Sequence, residues 1–167
     1  MSYEDFIKSK EFKIINKSVE VQRDDLNKNL FEHQKDLVYL ALKKGKFALF
    51  SMTGTGKTAM QCEWAYRVNQ FTNKPVLILA PLSVASQTVN EAKNILGYDF
   101  ILCESQDDVK NSVCITNYDK LHKFDLSVFS GIALDESSIL KSFTSATTET
   151  LISEFKDTQY KLCCTAT

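Results

Sequence analysis

The sequence predicts an α/β domain of three layers, in which helices cover both faces of a mainly parallel central sheet. Six short runs are apolar throughout, and most are separated by stretches whose apolar residues recur with helical spacing. Strands that are buried on both faces have this composition, and their alternation with helices is typical of parallel sheets. The length of 167 residues fits one such domain. The six predicted strands are Phe47–Phe50, Val76–Ala80, Phe100–Cys103, Val113–Thr116, Gly131–Leu134 and Leu162–Cys164.

The chain begins with a charged stretch and then shows a clear helix signal. Residues 1–28 carry scattered apolar positions and are expected to pack as an arm on the domain formed by residues 29–167. Asn29 and Glu32 have the spacing of a capping box, and Gly45 follows two lysines as a helix C-terminal residue would. These signals predict a helix that starts near residue 30 and leads directly into the first strand.

Three further helices are predicted between the strands. The first follows the first strand and ends near Asn69. The second starts near Ser83, carries its apolar residues on one face and stops at Gly97. The third covers about residues 145–156. Right-handed crossovers of this kind bring the carboxyl ends of all the strands to one edge of the sheet, where ligands gather.

Composition narrows the function classes. The formal net charge of −1 lacks the basic excess of a free-standing nucleic-acid-binding module. The five cysteines are odd in number and form no C-x-x-C pair, which favours buried thiols in a reducing compartment over disulfides or zinc. The N-terminus does not resemble a signal peptide, and no apolar run reaches the roughly 18 residues that a membrane span needs. We therefore expect a cytoplasmic protein without a membrane partner.

A glycine-spaced turn that ends in Gly-Lys-Thr follows the first predicted strand. Gly54 and Gly56 allow the backbone to curl so that successive N–H groups point at one anion. Lys57 is expected to reach the β- and γ-phosphates of ATP, and Thr58 to offer its hydroxyl to Mg²⁺. The full phosphate-loop pattern has glycine where this chain has Ser51. The predicted nucleotide-binding loop comprises Thr53, Gly54, Thr55, Gly56, Lys57 and Thr58.

Two adjacent carboxylates, Asp135 and Glu136, follow the fifth predicted strand. Mg²⁺ prefers oxygen ligands and keeps several waters, so Asp135 is expected to hold the ion. Glu136 would orient and deprotonate the water that attacks the γ-phosphate. The alternative is that the two residues only begin the next loop.

Other polar residues follow the remaining strands and are expected at the same sheet edge. Pro81 and Ser83 follow the second strand, and Thr116 and Asn117 follow the fourth. Ser83 as a helix N-cap and Asn117 as a turn residue are the structural alternatives at these positions. The last strand is followed by residues 165–167, which end in Thr167.

In this order the motifs resemble the first, N-terminal RecA-like domain of superfamily-two helicases, the DEAD/DEAH-like ATP-binding domain with a phosphate-loop NTPase fold. Asp135-Glu136 followed by Lys141, and Leu82-Ser83 followed by Gln87, are similar to Snf-type DNA translocases, particularly bacteriophage-encoded members. The resemblance covers residues 30–167. The motifs that carry it are Gln34, Gly54-Thr55-Gly56-Lys57-Thr58, Ala80-Pro81-Leu82-Ser83, Thr116-Asn117-Tyr118, Asp135-Glu136-Ser137-Ser138 and Thr165-Ala166-Thr167.

The resemblance implies roles for these positions. Gln34 would contact the adenine edge, since an amide both donates and accepts hydrogen bonds; a surface polar residue is the alternative. Pro81, Ser83, Thr116 and Asn117 would contact the backbone of DNA, and Lys141 would assist or lie on a solvated loop. Thr165 and Thr167 would couple the nucleotide state to domain movement. Lys57, Asp135 and Glu136 would be the catalytic residues.

The family also requires a second RecA-like domain in cis that supplies arginines to the γ-phosphate, and an arginine finger accelerates related chemistry by roughly 10³–10⁵. This chain holds only two arginines and ends just after the coupling motif. We therefore expect the ATP-binding half of a DNA-dependent ATPase, with little activity alone. The alternatives are a phosphate-loop NTPase of another class, such as a small-molecule kinase or switch, and a non-catalytic nucleotide-binding interaction module.

Overall fold

The computed structural model describes residues 18–138 and 146–166, which form a six-stranded sheet with helices on both faces. All neighbouring strands are parallel, and their order is β1-β6-β5-β2-β4-β3. The predicted α/β class with a mainly parallel sheet is therefore confirmed. The strands are β1 (Lys46–Phe50), β2 (Val76–Ala80), β3 (Ile101–Leu102), β4 (Val113–Asn117), β5 (Gly131–Leu134) and β6 (Tyr160–Thr165).

Four α-helices connect or precede the strands in the described part of the chain. The helix Leu82–Glu91 continues into a π-helical turn at Ala92–Leu96 and ends at Gly97. The φ of Gly97, 77°, lies in the left-handed region that favours glycine. Short 3₁₀ turns fill several remaining connections, including Tyr118–Lys123 directly after β4. The helices are α1 (Glu32–Lys44), α2 (Lys57–Thr72), α3 (Leu82–Glu91) and α4 (Ala146–Glu154).

The sheet separates two hydrophobic cores because successive side chains of a strand point to opposite faces. On one face, α1, α2 and α3 pack against positions such as Ile78 and Leu162. On the other face, α4 and the segment 118–129 pack against Leu77 and Leu79. β2 is buried at all five residues, as its continuous apolar sequence predicts.

The segment from residue 18 to residue 30 lies against α1 and α2. The Val19 N–H donates to the Leu42 carbonyl, and Leu26 and Leu30 are buried in the first core. Residues 1–17, Lys141 and Thr167 lie outside the described residues, as does the predicted start of the last helix at residue 145.

Two predicted helix caps are wrong. α1 begins at Glu32 with Phe31 as its N-cap, while the Asn29 side chain donates instead to the Ile95 carbonyl. α3 begins at Leu82 with Pro81 as its N-cap, so Ser83 lies inside the first turn. At α1, the distant Ile95 carbonyl occupies the side chain predicted to cap the helix. At α3, the helix begins directly after Pro81, one residue earlier than a Ser83 cap would allow.

Within the described ranges, no helix combines the length and apolar character that crossing a membrane would require.

Candidate functional site: a phosphate loop and a carboxylate pair

The loop between β1 and α2 has the backbone shape that its glycines predict. Gly54 and Gly56 have φ values of 80° and 78°, in the left-handed region. α2 begins at Lys57, and no described side chain caps its N-terminus, so the N–H groups of its first turn point toward the loop. A helix N-terminus with free N–H groups attracts anions. The loop therefore has the backbone conformation that can hold an anion such as phosphate.

Side chains inside the loop hold this shape. The Ser51 and Thr55 hydroxyl oxygens lie 2.5 Å apart, and the Thr55 hydroxyl also donates to the Met52 carbonyl at 2.8 Å. The Lys57 ammonium donates to the carbonyls of Ser51 and Met52, each at 2.9 Å. Ser51, which departs from the glycine of the full pattern, thus contributes a hydroxyl that ties the loop together.

Gln34 connects α1 to the loop. Its Nε2 donates to the Thr55 carbonyl at 2.9 Å, and its Oε1 accepts from the Phe31 N–H at 3.0 Å. The side chain is only 4% exposed, whereas Phe31 beside it is 68% exposed and stacks on His33. The predicted surface alternative for Gln34 is therefore wrong, and the amide lies beneath the loop.

The carboxylate pair follows β5, two strands from the loop, because β6 lies between β5 and β1. Burial raises the pKa of Asp135, while the Gln61 amide and the Glu136 N–H act in the opposite direction. The charge of Lys57 also favours the ionised carboxylate. The positive charge of Lys57 therefore acts on the Asp135 carboxylate, as their positions after parallel strands at one sheet edge predict.

Glu136 has a φ of 54°, an unusual value for a residue with a side chain. Its carboxylate accepts hydrogen bonds from the Ser138 hydroxyl and, at 3.3 Å, from the Thr165 hydroxyl. The end of β6 is thus bonded directly to the second carboxylate. The Ser51 N–H donates to the Thr165 carbonyl at 3.2 Å, so the same residue also holds the end of β1.

Gln61 is a site residue that the sequence analysis missed. It lies on α2 one turn after Lys57 and is fully buried, and neither of its amide atoms reaches hydrogen-bond geometry with a described residue. Its amide faces the Asp135 carboxylate closely enough to favour the charged form. A polar residue among the buried positions of a helix, four residues after the phosphate-loop lysine, is the sequence signal that identifies it.

The predicted nucleic-acid residues differ in exposure. Ser83 is exposed and Pro81 is half-buried, but Thr116 and Asn117 are 1% and 4% exposed. The Asn117 side chain accepts from the Lys120 N–H at 3.2 Å and caps the 3₁₀ turn, which confirms its structural role in a turn. The Thr116 hydroxyl is buried without a hydrogen-bond partner among the described residues.

Both arginines are engaged in ion pairs. Arg23 bonds Asp36 at 2.5 Å and Glu32 at 2.8 Å, and Arg67 bonds Glu63 at 2.8 Å. Among the described residues, neither guanidinium makes a hydrogen bond or an ion pair to the loop.

The donor set at this edge fits a magnesium ion. Thr58, in the first turn of α2, supplies a hydroxyl oxygen, and Asp135 supplies a half-buried carboxylate. Hard oxygen ligands and few protein contacts are what Mg²⁺ takes beside phosphates. The same edge therefore offers two oxygen donors of the type that a magnesium ion accepts.

One family model matches most of the chain. The family described as "Type III restriction enzyme, res subunit" (ResIII) matches residues 13–162. No curated protein matches the chain significantly in sequence.

Solved structures share the fold at low sequence identity. The UvsW helicase from bacteriophage T4 aligns with a TM-score of 0.72 and 16% identity, over 98% of this chain and 68% of that one. A second T4 UvsW structure has a TM-score of 0.73 and 16% identity, over 98% of this chain and 39% of that one. The SWI2/SNF2 ATPase core of Sulfolobus solfataricus, in complex with double-stranded DNA, aligns with a TM-score of 0.67 and 18% identity. There the alignment covers 93% of this chain and 34% of that one.

Proposed function

Because the chain belongs to the ResIII family and has the RecA-like fold of superfamily-two helicases, we propose that it is the ATP-binding half of a DNA-dependent ATPase of the Snf-type translocase class. The observation that carries the proposal is the convergence of a phosphate cradle, Lys57 and the Asp135–Glu136 pair on one edge of a parallel sheet. Phosphate binding alone needs only the cradle, whereas hydrolysis also needs a metal ligand and a base.

The loop would bind the phosphates of ATP. On binding, the Lys57 ammonium exchanges its contacts with the Ser51 and Met52 carbonyls for the β- and γ-phosphate oxygens. Thr53, Gly54 and Thr55 line the loop, and Gly56 opens α2. The ammonium keeps its hydrogen bonds in both states, because phosphate oxygens replace the two carbonyl oxygens as acceptors.

The carboxylates would divide the chemistry. Asp135 and Thr58 would hold Mg²⁺, which neutralises phosphate charge when it is bound. Glu136, whose carboxylate is oriented by Ser138 and Thr165, would accept a proton from the attacking water. Thr165 would in this way sense the state of the catalytic base, consistent with the coupling role proposed for it and for Thr167.

Gln34 remains the proposed adenine contact, and Phe31 beside it offers an exposed aromatic face for a base. The Gln34 amide keeps one N–H and one lone pair beyond its two bonds to the loop and the helix.

DNA would bind at the same edge through Ser83 and Pro81, which lie at the accessible start of α3. The buried Thr116 and Asn117 would contribute only if the turn after β4 shifts. Contacts of this kind read the phosphate backbone and not the base sequence. With a net charge of −1, this chain should bind DNA weakly and lose that binding as salt rises. A second RecA-like domain in cis would supply the missing arginines.

Calorimetric titration of Mg-ATP tests the proposal. Lys57→Ala should weaken binding about 10- to 150-fold, since a hydrogen bond to a charged group contributes about 1.5–3 kcal/mol. Lys44→Ala, which removes an exposed lysine at the far end of α1, is the matched control and should bind like the parent. Unchanged affinity in Lys57→Ala would refute the proposal. ATP turnover that responds to a metabolite and not to DNA would favour an NTPase of another class.

A further inference from the structure

We propose that Tyr118 is a positioning residue that links the turn after β4 to the carboxylate pair, and thereby couples DNA binding to ATP binding. The inference rests on the proposed function. The coupling would depend on one hydrogen bond between the segments that follow β4 and β5 at the same edge of the sheet.

The hydrogen bond joins residues that are distant in sequence. The Tyr118 hydroxyl donates to the backbone carbonyl of Asp135 at 2.7 Å. Tyr118 directly follows β4 and opens the 3₁₀ turn Tyr118–Lys123, which Asn117 caps. The ring is 7% exposed and belongs to the second core. A displacement of the turn therefore moves a rigid buried ring whose polar end holds the carboxylate segment.

The acceptor is a sensitive point of the backbone. β5 ends at Leu134, and the Asp135 N–H still donates to the Leu79 carbonyl at 2.8 Å. The Asp135 carbonyl belongs to the peptide group that joins Asp135 to Glu136, and Glu136 has the left-handed φ of 54°. Holding that carbonyl fixes the plane of the peptide and hence the direction in which Glu136 leaves the strand. Because the left-handed conformation is unfavourable for a residue with a side chain, external contacts must maintain it.

The hydroxyl stays a donor under ordinary conditions. Burial and the nearby charge of Asp135 raise the pKa of Tyr118, so the phenol keeps its proton. Its partner is a backbone carbonyl and not a titrating group. The bond therefore responds to movement of the turn and not to pH.

The predicted DNA residues lie at the end of β4, directly before this turn. Thr116 and Asn117 immediately precede Tyr118 and are buried, so DNA contact there requires the turn to shift. A shift that breaks or tightens the bond to Asp135 would change the Mg²⁺ ligand and the base together. By linkage, Mg-ATP would change DNA affinity by the same factor.

The experiment measures that factor directly on the 167-residue chain. Affinity for a non-hydrolysable Mg-ATP analogue is titrated with and without a saturating DNA duplex, for the parent and for Tyr118→Phe. Allosteric factors of about 5 to 150 are typical. For the parent, the ratio of analogue affinities with and without DNA should lie in this range. For Tyr118→Phe, DNA should change the affinity for the analogue by less than about twofold.

Tyr160→Phe is the matched control. Tyr160 is also buried, at 1% exposure, and its hydroxyl accepts from Gln159 Nε2 at 2.5 Å at the opposite end of the sheet. Both variants lose one hydroxyl from a buried ring, so a general effect on stability should appear in both melting curves. Only a positioning role predicts that the effect of DNA on analogue affinity is lost in Tyr118→Phe and kept in Tyr160→Phe.

The outcomes separate the two proposals. If the parent binds the analogue and DNA without mutual influence, or if Tyr118→Phe keeps the parent's factor, the coupling role is refuted and the ATP-binding proposal stands. If the parent fails to bind the analogue, the proposed function fails, and with it the coupling that depends on it.

Discussion

An alanine at Gly56 should destabilise this fold more than an alanine at Gly54, although the two glycines have nearly the same backbone conformation. Their φ values are 78° and 80°. An added Cβ at Gly54 would meet no heavy atom within 4 Å, whereas one at Gly56 would overlap Nε2 of Gln34. The pair therefore separates the cost of left-handed backbone from the cost of displacing the buried amide.

The magnitudes follow from these contacts. A left-handed residue with a side chain costs about 1–2 kcal/mol, which applies to both variants. Displacing the Gln34 amide also breaks its bonds to the Thr55 carbonyl and the Phe31 N–H. Each bond contributes about 0.5–1.5 kcal/mol. Gly54→Ala should thus cost about 1–2 kcal/mol, and Gly56→Ala about 2–5 kcal/mol.

Urea unfolding followed by circular dichroism, without nucleotide, measures both free energies. The combined variant Gln34→Ala/Gly56→Ala should be more stable than the sum of the single effects predicts, by about 1–3 kcal/mol, because the collision is removed. Equal costs at the two glycines, or additive effects in the combined variant, would show that Gln34 does not support the loop.

Two further predictions concern carboxylates. Because the fold raises the pKa of Asp135, the folded state holds that proton more tightly than the unfolded chain, so stability is lost as pH rises above the unfolded value of about 3.9. Asp135→Asn should therefore be more stable than the parent at pH 7, and urea titrations should show that this difference closes below about pH 4; a difference independent of pH would contradict it. Glu63 is fully buried and accepts from Arg67 at 2.8 Å and from the Tyr98 hydroxyl at 2.6 Å. Glu63→Gln should therefore cost about 3 kcal/mol, because it removes the charged partner of a guanidinium whose other bond is to the Asp25 carbonyl. Glu32→Gln, which disturbs an exposed ion pair, should leave the unfolding midpoint almost unchanged, and equal midpoints for the two variants would refute the assignment.

The strands and the shared edge could be predicted because their physical signal is local. A strand such as β2, apolar at every position, fits only a sheet covered on both faces, and parallel pairing then brings the strand ends to one edge. The left-handed loop was likewise predictable from Gly54 and Gly56, since glycine adopts such conformations at little cost.

The features that sequence reasoning missed depend on distant contacts. Asn29 is a residue type that often caps helices, but in the folded chain its amide donates to the Ile95 carbonyl. Tyr118 has the residue type of a core position and Gln61 that of a surface position, and only the juxtaposition of α2, β4 and β5 places both beside Asp135. The spacing of residues along the chain does not reveal contacts between distant segments. The positions of these residues therefore follow only from the arrangement of the strands and helices in the fold.

The position of β6 has a consequence for how the site comes into being. β1 has β6 as its neighbour in the described sheet, with Phe50 beside Thr165, and β6 in turn is beside β5. Within the sheet, the strand that carries the phosphate loop is therefore hydrogen-bonded to the strand that carries the carboxylates only through residues 160–165. Contacts this distant in sequence close late, because loop closure opposes them. In a ribosome-bound chain that lacks β6, only the packing of α2 on β2 and β5 would link the two halves of the nucleotide site, so ATP binding should reach its full strength only when β6 is in place.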